Sequence, residues 1–287
     1  MITPTSISEQ LLFSTIRIET KLNSGKVGTG TGFFFNFKVD EQRIIPTIIT
    51  NKHVVKNATV GNFYLHEADA GQKKPSTNNF AVNIGNFEQQ WVMHPSEDVD
   101  LCVMPFQPLI VGAKKLNKFI FNRNLDESLI LNDIQLEDLN AVEEVLMIGY
   151  PIGLWDSTNN LPIIRKGITA TYPAIDFCGK SISVVDIACF PGSSGSPVIL
   201  VNEGFYGTKK GTSIGNRAVL LGVLYEGPQI DAEGNIETET IPTAQQAISH
   251  TKIMVNLGYI IKAREIKVLG EILKKRVLEN EQNNSRV

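Results

Sequence analysis

The sequence predicts an all-β protein of two packed barrels with a helix at each end. Three observations point there. Short β-branched and aromatic runs recur between turns of Gly, Pro and Asn, the pattern an all-β barrel demands. A chain of 287 residues can form one large or two small cores, and two barrels use most of that length. Helical spacing of apolar residues is clear only near the termini, and helices between the strands are missing.

Ser6 and Glu9 are spaced as a capping box, and Ile7, Leu11 and Leu12 follow at helical spacing, so a short helix opens the chain. Apolar and polar residues alternate over Thr15–Thr20, which reads as a strand, and Lys21–Lys26 as a turn. The run Gly28-Thr29-Gly30-Thr31-Gly32 leads into Phe33–Phe37, which is strand composition. A phosphate-cradling loop opens a helix and carries a Lys-Ser/Thr pair, so nucleotide binding is excluded. Asp40–Arg43 forms a hairpin turn, and Ile44–Thr50 returns towards His53. The segment from Lys56 to Asn86, with scattered Gly, Asn, Lys and Pro, reads as a long loop, and Phe87–Met93 as a strand ended by His94-Pro95.

The expected divisions are residues 1–105 for the first helix and barrel, 106–140 for a crossover with one helical turn near Leu136–Asn140, 141–257 for the second barrel, and 258–287 for a helix and tail. Ile266, Leu269, Ile272, Leu273 and Val277 make an amphipathic stripe, expected to pack on the second barrel. From Asn280 the polar tail is expected to be disordered.

Composition narrows the function. The net charge of −3 with no basic block argues against nucleic acid as a partner. No apolar run reaches the length of a membrane span, so no membrane partner is expected. The start of the sequence lacks a basic n-region and an apolar h-region, which does not read as a secretory signal. Cys102, Cys178 and Cys189 are an odd number in strand-like surroundings, expected to be buried reduced thiols of a cytoplasmic protein.

The chemistry concentrates at Phe190-Pro191-Gly192-Ser193-Ser194-Gly195-Ser196-Pro197. Small residues there let backbone amides converge on one point, as an oxyanion hole requires. Ser194 needs a base and a group to orient that base. Of four histidines, only His53 stands at the end of a β-branched run; His66, His94 and His250 have no such setting. Between His53 and Ser194 lies Ser96-Glu97-Asp98-Val99-Asp100, running into Leu101-Cys102-Val103. The order is therefore His, Asp, Ser.

Four segments together, Gly30-Thr31-Gly32-Phe33-Phe34, Thr50-Asn51-Lys52-His53-Val54, Asp100-Leu101-Cys102-Val103 and Gly192-Ser193-Ser194-Gly195-Ser196-Pro197, resemble the trypsin-like (chymotrypsin-fold) serine peptidases, especially the bacterial HtrA-like branch. The resemblance covers roughly residues 15 to 257 and lacks a PDZ extension. It implies two six-stranded antiparallel barrels and a bacterial serine endopeptidase that needs no cofactor or metal. It further implies His53 as general base, Asp100, which opens a strand as in the family, as its orienting acid in preference to Asp98, and Ser194 as nucleophile, with the amides of Gly192 and Ser194 as oxyanion donors.

By position in the family, Ile187, Ala188 and Cys189 line the primary pocket, and Tyr225, Glu226 and Gly227 form its other wall and the edge for β-addition of substrate. Ala188 at the pocket base favours small or medium apolar residues over Arg or Lys; Glu226 points outward or touches substrate. Two departures stand out. Ser196 replaces a usual glycine, and Ser193 replaces the aspartate that pairs with a newly cut amino terminus in digestive members. Regulation by a protein partner or ligand is expected, since an unregulated cytoplasmic protease is hazardous. An α/β-hydrolase would need Ser194, Asp231 and His250 in that order and a glycine at 196. A catalytically silent binding module that kept the fold is the remaining alternative.

Overall fold

The computed structural model describes residues 1–69, 71, 74–209, 211–235 and 248–284, leaving aside the side chains of 229–254 and 283–284. The chain opens with helix α1 (Ile7–Leu11), whose Ser6 and Glu9 form the expected capping box. The first β unit contains β1 (Thr15–Leu22), β2 (Val27–Lys38), β3 (Ile44–Thr50), β4 (Ala58–Ala68), β5 (Pro75–Gly85), β6 (Val92–Met93), β7 (Cys102–Pro105) and β8 (Leu125–Asp126). Its strand order is β5-β4-β1-β2-β3-β7-β6, and β8 joins β2 in parallel. The helix α2 (Lys52–Val55) follows β3, and α3 (Gln107–Lys115) follows β7.

The second unit is a closed barrel in the order β10-β11-β18-β15-β12-β9. Its strands are β9 (Glu144–Gly149), β10 (Ile163–Thr169), β11 (Ile182–Asp186), β12 (Pro197–Asn202), β15 (Arg217–Glu226) and β18 (Leu257–Lys262). Helix α4 (Asp133–Glu137) precedes it, and two excursions, β13 (Phe205–Thr208) with β14 (Gly211–Ile214) and β16 (Gln229–Asn235) with β17 (Ile248–Met254), form separate two-stranded sheets. The barrel thus closes on β18, and helix α5 (Arg264–Asn284) begins after it.

The structure departs from the sequence expectations in several places. The expected loop from Lys56 to Asn86 is largely the β4–β5 hairpin, registered from Val60↔Gly85 to His66↔Asn79. Phe87–Gln90 is a 3-10 turn, leaving only Val92–Met93 as strand. His53 stands on α2 rather than on the strand before it. Residues 280–284, expected to be disordered, extend α5. Cys178 is exposed, in a turn with φ +53°, whereas Cys102 and Cys189 are buried, and all three are free.

Helix α5 also differs in what it covers. Its buried residues Ile266, Leu269 and Leu273 belong to one continuous core with Phe33, Phe35 and Phe37 of β2 and with Ile148, Ile199 and Leu220 of the second barrel. A side chain at Gly270 would overlap the Phe37 ring, so the helix lies flat on the first unit. Each fully buried Leu or Ile stabilises by about 2 kcal/mol. The helix therefore ties both halves together.

His66 on β4 is buried against Phe13, ring edge to ring face at 5.0 Å. Burial pushes its imidazole down to about 4, opposed by a hydrogen bond with the Asn160 backbone. The unfolded chain takes up a proton near pH 6.5 that folded His66 refuses until about pH 4. Stability is thus full above pH 6.5 and falls by roughly 3 kcal/mol on descending to pH 4. Urea titrations across that range should show the fall, and His66→Phe should remove this part of it; identical slopes for the two proteins contradict the assignment.

Candidate active site

The site lies where the two β units meet, and β2 sets it up. β3 pairs with β2 only from Ile49↔Phe33 onward, which leaves the polar groups of Thr31 for other partners. Thr31 is fully buried, and its N–H donates to the Ser194 carbonyl at 2.9 Å. Its hydroxyl donates to the Gly192 carbonyl at 2.9 Å and accepts the Tyr150 N–H at 3.1 Å. Its carbonyl accepts from Thr50 Oγ1 at 2.6 Å.

Thr50 ends β3, and the chain then turns into α2, which carries His53. His53 Nδ1 lies 2.5 Å from Asp100 Oδ2, and the His53 N–H donates to Asp100 Oδ1 at 3.0 Å. Both carboxylate oxygens of Asp100 are therefore committed to one residue. Asn51, buried at the start of α2, does not cap that helix; its Nδ2 donates to the Asp100 carbonyl at 2.8 Å. Lys52 Nζ reaches the Ser96 carbonyl at 2.6 Å. Asp100 thus sits in a turn fastened to α2 from three directions.

Behind that turn, buried His94 accepts the Ser96 N–H on Nδ1 at 3.2 Å, and its Nε2 faces Glu265 of α5 at 3.4 Å. Accepting on Nδ1 leaves the proton on Nε2. Burial lowers the His94 pKa, which keeps this neutral form.

The Ser194 loop follows from two glycines. Gly192 (φ +89°) and Gly195 (φ +87°) are in the left-handed region, which disfavours any Cβ. A Cβ at Gly195 would also stand 1.9 Å from the Thr31 carbonyl, and one at Gly192 would stand 2.6 Å from the Tyr150 carbonyl. Ser193 N–H donates to the Phe190 carbonyl and Gly195 N–H to the Leu224 carbonyl. Among the described residues the amides of Gly192 and Ser194 donate to no protein acceptor. Ser196, where the family carries glycine, is fully buried; Gly149 opposite has no side chain, and a Cβ there would meet Ser196 Oγ at 2.0 Å.

The structure brings His53 and Asp100 together but places Ser194 otherwise. Ser194 Oγ contacts the Tyr225 carbonyl at 3.3 Å, and among the described residues no hydrogen bond joins it to His53. Among the described residues no hydrogen bond or ion pair joins Asp98 to His53, and His250 and Asp231 lie outside the described side chains.

Of the expected pocket residues, Ile187 and Cys189 are both buried in the core of the second barrel. A Cβ on Gly258 would stand 2.6 Å from the Cys189 sulfur, so β18 lies directly against Cys189. Burial pushes the Cys189 thiol up to about 11, with the Arg165 charge opposing. Gly227 lies against Cys189 and the Leu257 carbonyl, and Tyr225 and Glu226 form the end of β15. Arg165 on β10 donates to the Ala188 carbonyl at 2.9 Å and lies 4.8 Å over the Phe190 ring. Sequence reasoning missed Thr31, Asn51 and Arg165. Thr31 and Asn51 sat within recognised motifs, but nothing in spacing marks a bond between distant segments.

A family model described as a trypsin-like peptidase domain matches residues 30–206. No curated protein matches the sequence. Among solved structures, the chain is similar to the active form of the Rv3671c protease from M. tuberculosis, at 16% identity over 89% of this chain and 78% of that one, with a TM-score of 0.42. It is similar to the HtrA-type protease AlgW with tripeptide at 12% identity, over 88% of this chain and 57% of the other, with a TM-score of 0.44. For Deg5 the identity is 17%, over 76% of this chain and 81% of that one, with a TM-score of 0.41.

Removing the Thr31 hydroxyl leaves a buried carbonyl and a buried amide without partners, at about 1–3 kcal/mol each. Thr31→Val should lower the unfolding free energy by about 2 kcal/mol or more in urea titrations, and Thr31→Ser, which loses only a methyl group, by about 1 kcal/mol. Equal losses for the two variants contradict the bridging role.

Proposed function

Since the chain belongs to the trypsin-like peptidase domain family, we propose that it is a serine endopeptidase that cleaves protein substrates through an acyl-enzyme on Ser194. The observation that carries this reading is a His53–Asp100 pair together with a glycine-bounded loop whose Gly192 and Ser194 amides donate to no acceptor among the described residues. A substrate strand adds to the β15 edge at Tyr225–Gly227, and its backbone N–H takes the Tyr225 carbonyl that Ser194 Oγ now contacts. The displaced hydroxyl turns to His53.

Ser194 Oγ then attacks the scissile carbonyl while His53 Nε2 takes its proton. Asp100 accepts from His53 Nδ1 and stabilises the imidazolium. The negative oxygen of the tetrahedral intermediate lies between the Gly192 and Ser194 amides, each contributing on the order of 3 kcal/mol. As the C–N bond breaks, His53 returns the proton to the leaving amine, and water repeats the sequence on the ester. Small surroundings, Ala188, Cys189, Gly227 and Gly258, favour a small apolar side chain before the cleaved bond.

A second reading, a catalytically silent binding module, is favoured by the orientation of Ser194 towards Tyr225. The same orientation is what a regulatory protein or ligand would change. Intact-mass detection of fluorophosphonate labelling separates the readings. Wild type should gain one adduct, and Ser194→Ala and His53→Ala should gain none. No labelling of wild type, with the fold intact by circular dichroism, supports the silent module.

A further inference from the structure

Gly192 and Pro191 share a peptide unit whose carbonyl accepts the Ile152 N–H at 2.5 Å. In a trans peptide the C=O and N–H point in opposite directions, so this bond turns the Gly192 amide away from Ile152. If it is released, rotation of the unit, free of Cβ hindrance at Gly192, presents a carbonyl where the amide stood. The direction of one oxyanion donor therefore depends on the segment 150–153.

That segment closes its own turn, the Gly153 N–H donating to the Tyr150 carbonyl at 3.0 Å and the Leu154 N–H to the Pro151 carbonyl at 2.8 Å, but the turn is strained. Ile152 has φ +50° and ψ +25° and its side chain is mostly exposed. A β-branched residue in this region is strained by roughly 1–2 kcal/mol. Tyr150 is anchored at Thr31, and beyond Ile152 the anchor comes from the next residues. Trp155 packs on Tyr64 of β4 with ring centroids 5.0 Å apart, and the Arg17 guanidinium of β1 lies 5.2 Å from its indole. Arg17 is paired with Glu19 and is mostly buried. Buried Asn160 adds a bond from Nδ2 to the Tyr64 carbonyl at 3.1 Å. A Cβ on Gly153 would lie 3.4 Å from Arg17, so the same guanidinium supports the segment from below.

We propose that Trp155, held between Arg17 and Tyr64, is a positioning residue that keeps the Gly192 amide turned to the oxyanion site through Ile152 and Pro191. It rests on the peptidase reading for its effect on rate, but the coupling between the two loops is independent of it. The first β unit thereby sets a donor that belongs to the second.

The test uses the full chain with Trp155→Ala, Trp155→Phe and Arg17→Met, each read by hydrogen exchange and by peptide hydrolysis normalised to titrated active sites. Trp155→Ala should speed exchange of the Ser193, Gly195 and Ser196 amides, with β12 and β15 unchanged. Its kcat should fall roughly 10²-fold, the size of a lost oxyanion donor, at little change in KM. Trp155→Phe, which still packs on Tyr64, should restore most of both, and Arg17→Met should be intermediate. Unchanged exchange at 193–196 together with unchanged kcat per active site overturns the proposal. If Trp155→Ala unfolds, Arg17→Met is judged by the same two criteria. A wild type that hydrolyses nothing defeats the peptidase reading, and the exchange result still decides the coupling.

Discussion

Everything at this site depends on one buried threonine. Thr31 spends its N–H on Ser194, its carbonyl on Thr50 and its hydroxyl on both Gly192 and Tyr150. Those partners carry, in turn, the expected nucleophile, the strand that ends just before His53, the proposed oxyanion loop and the segment packed against it. A polar group buried without partners is expensive, so this node fixes the two β units in one relative position. The chemistry needs that, since His53 and Asp100 come from the first half and Ser194 from the second.

Around the node, each element of the proposed site is held from outside. Asp100 is fixed by Asn51 and by both its contacts to His53, and the turn before it leans on His94 and so on α5. The loop of Ser194 is held by Ile152 at Pro191, by Arg165 at Ala188 and by Thr31 at Gly192. Ser193 carries no charge with which to draw in an amino terminus. The loop is instead ordered by neutral backbone bonds and one guanidinium.

How much of this was legible in the sequence follows from which interactions are local. The capping box of Ser6 and Glu9 is contained in one turn, and α1 appeared as expected. The stripe of Ile266, Leu269 and Leu273 announced a buried helix face, but a stripe does not say what covers it, and α5 proved to span both β units. The β4–β5 hairpin was hidden because its exposed face carries Asn, Ser and Thr, which read as loop; pairing across the hairpin overrides that composition. Ile187 and Cys189 were placed by position alone, and both side chains are buried in the core of the second barrel. The pairing of His53 with Asp100 was legible through motif order, whereas the orientation of Ser194 and the bonds of Thr31 are tertiary facts with no local signal.

The most direct measurement is a crystal structure of the full chain with a peptide boronic acid carrying a small apolar residue at boron. The account predicts boron bonded to Ser194 Oγ, one boronate oxygen about 3 Å from both the Gly192 and Ser194 amides, and the inhibitor's N–H on the Tyr225 carbonyl that Ser194 has left. A complex in which the Pro191 carbonyl occupies the oxyanion position, or in which boron does not bond to Ser194, contradicts it.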